Sequence, residues 1–387
     1  MQNRREDSQT LSSELFCMRG IGILLVVLVH VLGVDAQHGI RKLFPPNRMD
    51  LRLLVEVIHS FNMAVMLMGS GVAAAAFGRE SPPLLDFIRK KLNKLFVPML
   101  VWAPVLFLMQ ELTWGLPHGF EAWTKLLLRM PTTWFPPYSI FWFVHALVGC
   151  TLLTWAFRKV AGEALGRWLW PAYFGITMVM HLVASPWTEG GTGVLNEYVE
   201  LILYWNRFFA LGIVVFPWLA SVRQWLTGSS IPMQALVPAG FMAAIIAVYA
   251  VLPAERYALV AAINGTLGFC MLFSLSAFLR NRSVEWGTAW KGAWRRLVYT
   301  GSISMILFLF HLYFVSGMRI ALERVHPETM VGVHLVLGTL AGCVGPWLLY
   351  LLFKGQSWFH WSVGMSKPAP RSATPADQSR EGLASSP

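Results

Sequence analysis

Three histidines stand inside stretches that are otherwise apolar, and their spacing points to chemistry. In "CMRGIGILLVVLVHVLG", residues 17–33, Arg19 and His30 lie eleven positions apart. On an α-helix that is close to three turns, so both side chains share one face, about 16 Å apart along the axis. His145 occupies the middle of "FWFVHALVG" and His311 the middle of "ILFLFHLYFV". A neutral imidazole accepts a proton near neutral pH, which suits a general base. A lone membrane histidine also serves to hydrogen-bond a neighbouring helix. Three at one level, one of them in register with an arginine, point instead to a shared cavity.

A second constellation is cationic. "DFIRKKLNKLFVP", residues 86–98, carries Arg89, Lys90, Lys91 and Lys94. Arg89 and Lys90 read as anchors to lipid phosphates. Lys91 and Lys94 are one helical turn apart and share a face, which admits two readings: a further topology anchor, or a clamp for the phosphates of a cytosolic cofactor. Arg207 in "YWNRFFALG" and His59 in "VIHSFNM" lie deeper toward the opposite side. An ionisable group at bilayer depth is costly and is by default a functional candidate. The four cysteines, Cys17, Cys150, Cys270 and Cys343, have no metal-ligand spacing, so neither a metal site nor a disulfide framework is expected. The small residues of "MGSG" (68–71) read as a close helix contact.

The elements that must position these groups are membrane helices. Of the 387 residues 56% are hydrophobic and 13% charged, and the mean hydropathy is +0.53; a soluble domain has about 25% charged residues. Runs long enough to cross about 30 Å of hydrocarbon fall at 18–36, 52–77, 95–114, 139–157, 168–186, 199–222, 232–252, 257–279, 298–317 and 330–353. The expected fold is therefore all-α, a polytopic bundle of about ten helices. The seventh run contains an internal proline and is expected to kink. Measured from the inner end of each run at 1.5 Å per residue, His30, His145 and His311 all come out about 18–20 Å deep.

Orientation follows from the basic residues. With the N-terminus inside, inner segments hold 21 of the 31 Lys and Arg against 9 of the 20 Asp and Glu. Both termini are thus expected in the cytoplasm, and the net charge of +11 reflects membrane topology rather than nucleic-acid binding. The domain reading is a cytoplasmic segment 1–17, a transmembrane domain 18–353, and a cytoplasmic tail 354–387 that is mostly disordered. The outer loop 115–138 contains one amphipathic stretch suited to lying in the interface.

In this order of motifs the chain resembles the acyltransferase 3 family of integral-membrane acyltransferases, which includes the glucan biosynthesis protein C (glucan succinyltransferase) group. "RGIGILLVVLVH" is similar to that family's Arg, ten residues, His signature. "FNMAVMLMGSG" resembles its second-helix segment, "RKKLNKLFVP" its basic-x-x-basic segment before a proline, "FWFVHALV" its Trp-Phe segment, "RFFALGIV" its phenylalanine-glycine segment, and "LFLFHLYFV" its late histidine. The chain departs from the pattern at three places. Asn62 stands where the family often has histidine, Ala64 replaces a proline, and Lys91 and Lys94 replace arginines; lysine is a point charge rather than a bidentate fork.

The resemblance implies transfer of an acyl group, succinyl or acetyl, from cytosolic acyl-CoA to a hydroxyl of an extracytoplasmic or envelope glycan, in the cell inner (plasma) membrane. Acyl-CoA would be a co-substrate, with no permanently bound cofactor. Arg19, Lys91 and Lys94 would hold its phosphates. His30 would act as general base or as a transient acyl carrier. His311 and His145 would orient the acceptor or stabilise the oxyanion, and His59, Asn62 and Arg207 would face the substrate. The rival reading is a proton-coupled transporter or flippase, for which midplane histidines and Arg207 would form a relay. A structural membrane subunit is a third, although it leaves the shared face of Arg19 and His30 without a reason. The oligomeric state is not legible in the sequence.

Overall fold

A computed structural model describes residues 2–35, 37–44, 51–78, 83–188, 194–252, 256–325 and 330–365. Among them there is no strand. The helices in chain order are α1 (Gln2–Leu32), α2 (Gly39–Leu43), α3 (Arg52–Phe77), α4 (Leu84–Lys91), α5 (Val97–Trp114), α6 (Gly119–Arg129), α7 (Trp142–Leu165) and α8 (Leu169–Thr188). They continue with α9 (Val194–Val215), α10 (Leu219–Gly228), α11 (Ile231–Val251), α12 (Tyr257–Glu285), α13 (Thr288–Ser302), α14 (Ser304–Val325), α15 (Val331–Phe353) and α16 (Ser357–Ser362).

Nine described helical segments are long and apolar enough to cross a membrane, and one of them, Ser139–Val183, runs 45 residues. A straight helix of that length would measure about 67 Å, twice the hydrocarbon thickness. It is broken at Gly166, whose φ of +48° favours glycine, so it makes two passes, α7 and α8. The protein is an all-α polytopic membrane protein.

Several boundaries differ from the sequence expectation. The first helix begins at Gln2, well before residue 18, because the polar stretch continues the helix below the apolar run. The ninth span does not start at 298. The chain breaks at Ile303 (φ −101°, ψ 14°), separating the amphipathic α13 from the membrane helix α14. The proline of the seventh span, Pro238, is carried within a helix that is continuous from Ile231 to Val251. In the loop 115–138, α6 buries Leu126 and leaves Phe120 and Leu128 exposed, as an interfacial helix should. Residues 354–365 of the expected tail form α16 and its flanks, and Phe359 and Val363 are buried in the main core; the rest of that tail lies outside the described residues.

Lipid tails are as apolar as leucine, so helices in a membrane associate by close packing rather than by hydrophobic expulsion. Glycines set the two tightest crossings. A Cβ placed on Gly301 of α13 would come 1.7 Å from the Phe16 carbonyl oxygen of α1, and one on Gly20 would come 2.3 Å from Leu297 O. Gly71 of α3 and Gly212 of α9 are reciprocal, with added Cβ atoms 2.0 Å from Phe209 O and 2.1 Å from Met68 O. The Gly71 end of the "MGSG" stretch is thus a backbone contact; Gly69 has no neighbour within 4 Å.

An ion cluster that the sequence pattern did not suggest ties the basic end together. Glu14 of α1 is fully buried, accepting from Arg223 Nε of α10 at 2.9 Å and standing 3.6 Å from Arg280 Nη1 of α12. Asp7 adds a looser contact to Arg223 at 3.9 Å. Three helices are pinned by one carboxylate.

Candidate active site

α1 supplies both ends of the site. Its run "GILLVVLVH" carries apolar residues on every face, so the helix is buried among α3, α13, α14 and α15. It stops at Gly33, whose φ of +105° is a helix-ending conformation open to glycine, with Gly33 N donating to Val29 O at 2.8 Å. The chain then folds back over the helix end. Gly39 packs so closely on Gly33 that a Cβ there would lie 2.5 Å from the Gly33 nitrogen. Asp35 shapes this turn, accepting from the Gln37 amide at 2.7 Å and contacting His38 Nδ1 at 2.7 Å. Partial burial acts to raise the Asp35 carboxyl, but these bonds outweigh it and hold the group below its ordinary value.

The centre of the site is a pair of imidazoles. His30 Nδ1 lies 2.8 Å from Val26 O, and His311 Nδ1 lies 3.0 Å from Leu307 O and 2.9 Å from Phe308 O. A carbonyl only accepts, so both Nδ1 atoms carry the proton. His311 Nε2 is then a bare lone pair, and it stands 3.4 Å from His30 Nδ1. The rings meet edge to face, with centroids 4.8 Å apart. His30 Nδ1–H is shared between Val26 O and His311 Nε2, which leaves His30 Nε2 as the basic nitrogen. A base oriented by a second group is the general form of a catalytic dyad or triad.

Cavities run to this pair from both directions. Toward the basic end, a cavity of about 540 Å³ is lined by Arg19, Lys91, Lys94 and Ser304. Arg19 Nη2 donates to Ser304 Oγ at 2.8 Å, an interaction made possible by the break before α14. Lys94 lies in a π-helical turn, Leu92–Phe96, that joins α4 to α5; such wider turns recur at functional sites. This cavity shares Val26, Met63 and Phe308 with a second of about 180 Å³, lined by His30, His59 and Asn62. On the other side of His30 a third, also about 180 Å³, is lined by polar side chains: Gln37, Gln110, Ser139, Ser316, Arg319 and His334. The second and third have His30 and Val34 in common.

The structure therefore brings seven of the nine expected site residues to this row of adjoining cavities: Arg19, Lys91, Lys94, His30, His59 and Asn62 on the walls, and His311 behind His30. Asn62 also holds α3 to α1, donating from Nδ2 to Gly22 O at 3.1 Å. The other two residues lie elsewhere. His145 is buried between the rings of Phe96 and Tyr198, and neither ring nitrogen has a partner among the described residues. Arg207 is buried with its guanidinium 4.2 Å from the Tyr204 ring centroid and 4.8 Å from that of Phe208, and its Nη2 reaches Ala258 O at 3.4 Å. The cation–π contacts lie within α9, and the carbonyl contact ties α9 to α12. No described group of His, Cys, Asp and Glu could hold a metal ion. Ser304, Gln110, Arg319 and His334 carried no sequence signal beyond being polar in or beside apolar runs.

An oriented base reached from one side past a row of cations and from the other through a polar vestibule suits group transfer. No curated protein and no solved structure was found to match the chain. The family model described as an acyltransferase domain, that of the acyltransferase 3 family, matches residues 13–351. With that match over most of its length, the chain belongs to the acyltransferase 3 family and is an integral-membrane acyltransferase acting on groups other than amino-acyl groups.

Proposed function

We propose that this enzyme moves a short acyl group, succinyl or acetyl, from cytosolic acyl-CoA to a hydroxyl of an envelope glycan on the far side of the inner membrane. The observation that carries this reading is that His30 lines a polar vestibule on one side and, on the other, a small cavity that shares Val26, Met63 and Phe308 with a cationic one. The cationic one, with Arg19, Lys91 and Lys94, suits a polyanionic donor. The vestibule beyond His30 is lined by uncharged hydrogen-bonding groups and Arg319, which suits a polyhydroxylated acceptor. The basic end faces the cytosol in this reading, in line with the excess of lysine and arginine there, and both termini lie on that side.

The chemical step follows from the tautomers. His30 Nε2 takes the proton of the acceptor hydroxyl as its oxygen attacks the thioester carbonyl. The tetrahedral oxyanion collapses, the C–S bond breaks, and the imidazolium returns the proton to the departing CoA sulfur, giving free CoA thiol and neutral His30. His311 Nε2 accepts from His30 Nδ1–H throughout, so it fixes the ring and stabilises the transient positive charge. His59 and Asn62, beside His30, contact the reacting groups from the donor side.

Purified protein in nanodiscs, given radiolabelled acetyl-CoA or succinyl-CoA with and without envelope glycans, tests the reading. Glycan-dependent CoA release that His30→Ala abolishes supports it. Absence of binding and turnover with either donor overturns it.

A further inference from the structure

The cavity holding Arg19, Lys91 and Lys94 is not the end of the path. It shares Ala74, Phe77, Gly78, Lys91, Thr151 and Phe209 with a larger and more open one of about 1160 Å³ at the basic end. Its charged lining is Lys90 and Lys91 of α4 and Arg158, Lys159 and Glu163 of α7, four cations against one carboxylate. Arg158 is fixed in place, donating from Nη1 to Gly78 O at 3.0 Å. Beside these cations the same wall holds an aromatic pair, Phe87 of α4 and Trp155 of α7. Their rings are near-parallel, 25° apart, with centroids 5.8 Å from each other. Lys91 Nζ lies 5.6 Å from the Phe87 centroid, on the border between the two cavities.

Cations alone at this end would be explained by lipid phosphates. Aromatic rings also belong to membrane interfaces, but here a stacked pair lines a concave volume large enough for a nucleotide, among the cations. Together they offer what a purine bearing phosphates needs, a π-face for the base and point charges for the anions. Resting on the reading that the donor is acyl-CoA, we infer that this outer cavity is a nucleotide subsite. The adenine stacks on the Phe87–Trp155 pair, and Lys90, Arg158 and Lys159 take the ribose 3′-phosphate. The pantetheine arm then passes Lys91 and Arg19 toward His30. Residues of α7, outside the Lys91–Lys94 segment, thereby set the preference for a full nucleotide donor over a truncated one.

The test compares acyl-CoA with acyl-pantetheine, which carries the same thioester without the adenosine and its phosphates. The readout is the ratio of kcat/KM for the two donors. Trp155→Ala is expected to lower that ratio about 10- to 100-fold, the range for loss of one base-stacking contact, and Trp155→Phe to restore most of it. Arg158→Ala with Lys159→Ala is expected to lower wild-type preference for acyl-CoA over its 3′-dephospho form. Adenosine 3′,5′-bisphosphate should compete with acyl-CoA in neutral-lipid nanodiscs, less well against Trp155→Ala. A wild-type ratio retained in Trp155→Ala, with acyl-CoA still turned over, overturns the subsite and leaves the donor assignment standing. Competition by anionic lipid in place of the bisphosphate assigns the cations to the membrane and also overturns it. If the wild type turns over acyl-pantetheine and acyl-CoA equally well, the base contributes nothing. If it accepts neither, the donor reading itself fails.

Discussion

His311 Nε2 lies 3.4 Å from His30 Nδ1, and the two nitrogens are in opposite states, one a bare lone pair and the other protonated. That asymmetry is imposed by backbone. α14 directs two carbonyls at His311 Nδ1, and α1 directs one at His30 Nδ1. Which nitrogen of His30 keeps its free lone pair is thus selected by helices on either side of it.

The two histidines should be separable by kinetics. His30→Ala is expected to lower kcat by about 10²- to 10⁴-fold, the usual contribution of a positioned general base. His311→Ala should cost less, about 10- to 100-fold in kcat with donor KM little changed, since it acts through His30. His311→Gln, whose amide oxygen can accept from His30 Nδ1–H, should recover part of the loss. The double variant should be no worse than His30→Ala, because residues acting as a unit are not additive. Steady-state rates of CoA release measure all four, and a pH–rate profile shifted in His311→Gln would mark its positioning role.

Donor affinity should depend on the cationic cavity. Replacing Arg19, Lys91 or Lys94 by alanine is expected to raise donor KM about tenfold each, the worth of one charge-assisted contact, with kcat less affected. Ser304→Ala should raise it less, since the arginine keeps its charge and loses only its holder. Titration of donor KM against salt gives an independent check, because fewer cations should flatten the salt dependence.

Glu14 is a stability residue rather than a catalytic one. Glu14→Ala leaves the buried Arg223 without its carboxylate and is expected to cost about 3–5 kcal/mol. Thermal unfolding in detergent should show a marked fall in Tm, and a double-mutant cycle with Arg223→Met should recover much of it. The rates of any folded fraction should be close to wild type.

The glycine crossings make a sharper structural test. Gly301→Ala and Gly71→Ala force backbone apart and are expected to destabilise by at least about 1–3 kcal/mol. Gly69→Ala, two residues from Gly71 with open space around it, should be silent. Melting curves of the three variants side by side decide it.

What the sequence made legible was periodic or compositional. The helical fold, the pass count and the shared face of Arg19 and His30 follow from apolar run length and from 3.6 residues per turn. The meeting of His30 with His311 was half legible. A depth count placed them level, but that count started α14 at 298, and only the break at Ile303 aligns Ser304 with Arg19. Such a break is invisible to hydropathy, because the last turn of α13 and the start of α14 read as one continuous apolar run. His145 matched on depth and is nonetheless walled off by Phe96 and Tyr198, since depth fixes one coordinate and leaves the helix rotation open. Arg207 signalled function by its cost in a membrane, and the structure shows how aromatic faces and a carbonyl offset that cost. The Glu14 cluster could not be foreseen at all, because its partners are more than 200 positions away in the chain.

The cavities on the two sides of His30 have only it and Val34 in common, and the one on the donor side is walled mainly by Val26, Val29, Met63, Ile140 and Phe308. Walls this apolar disfavour a continuous file of water. Such walls would let a membrane that stores energy as an ion gradient hold this enzyme without being short-circuited. In the proposed reaction the acyl group would change compartment by changing its covalent partner, while neither the carrier that brings it nor the alcohol that receives it would have to cross. If His30 is where the reaction takes place, insulation and reaction would depend on the same few ångströms of protein, and a substitution that widens the walls around His30 to admit bulkier acyl chains would be expected to make the host membrane leak.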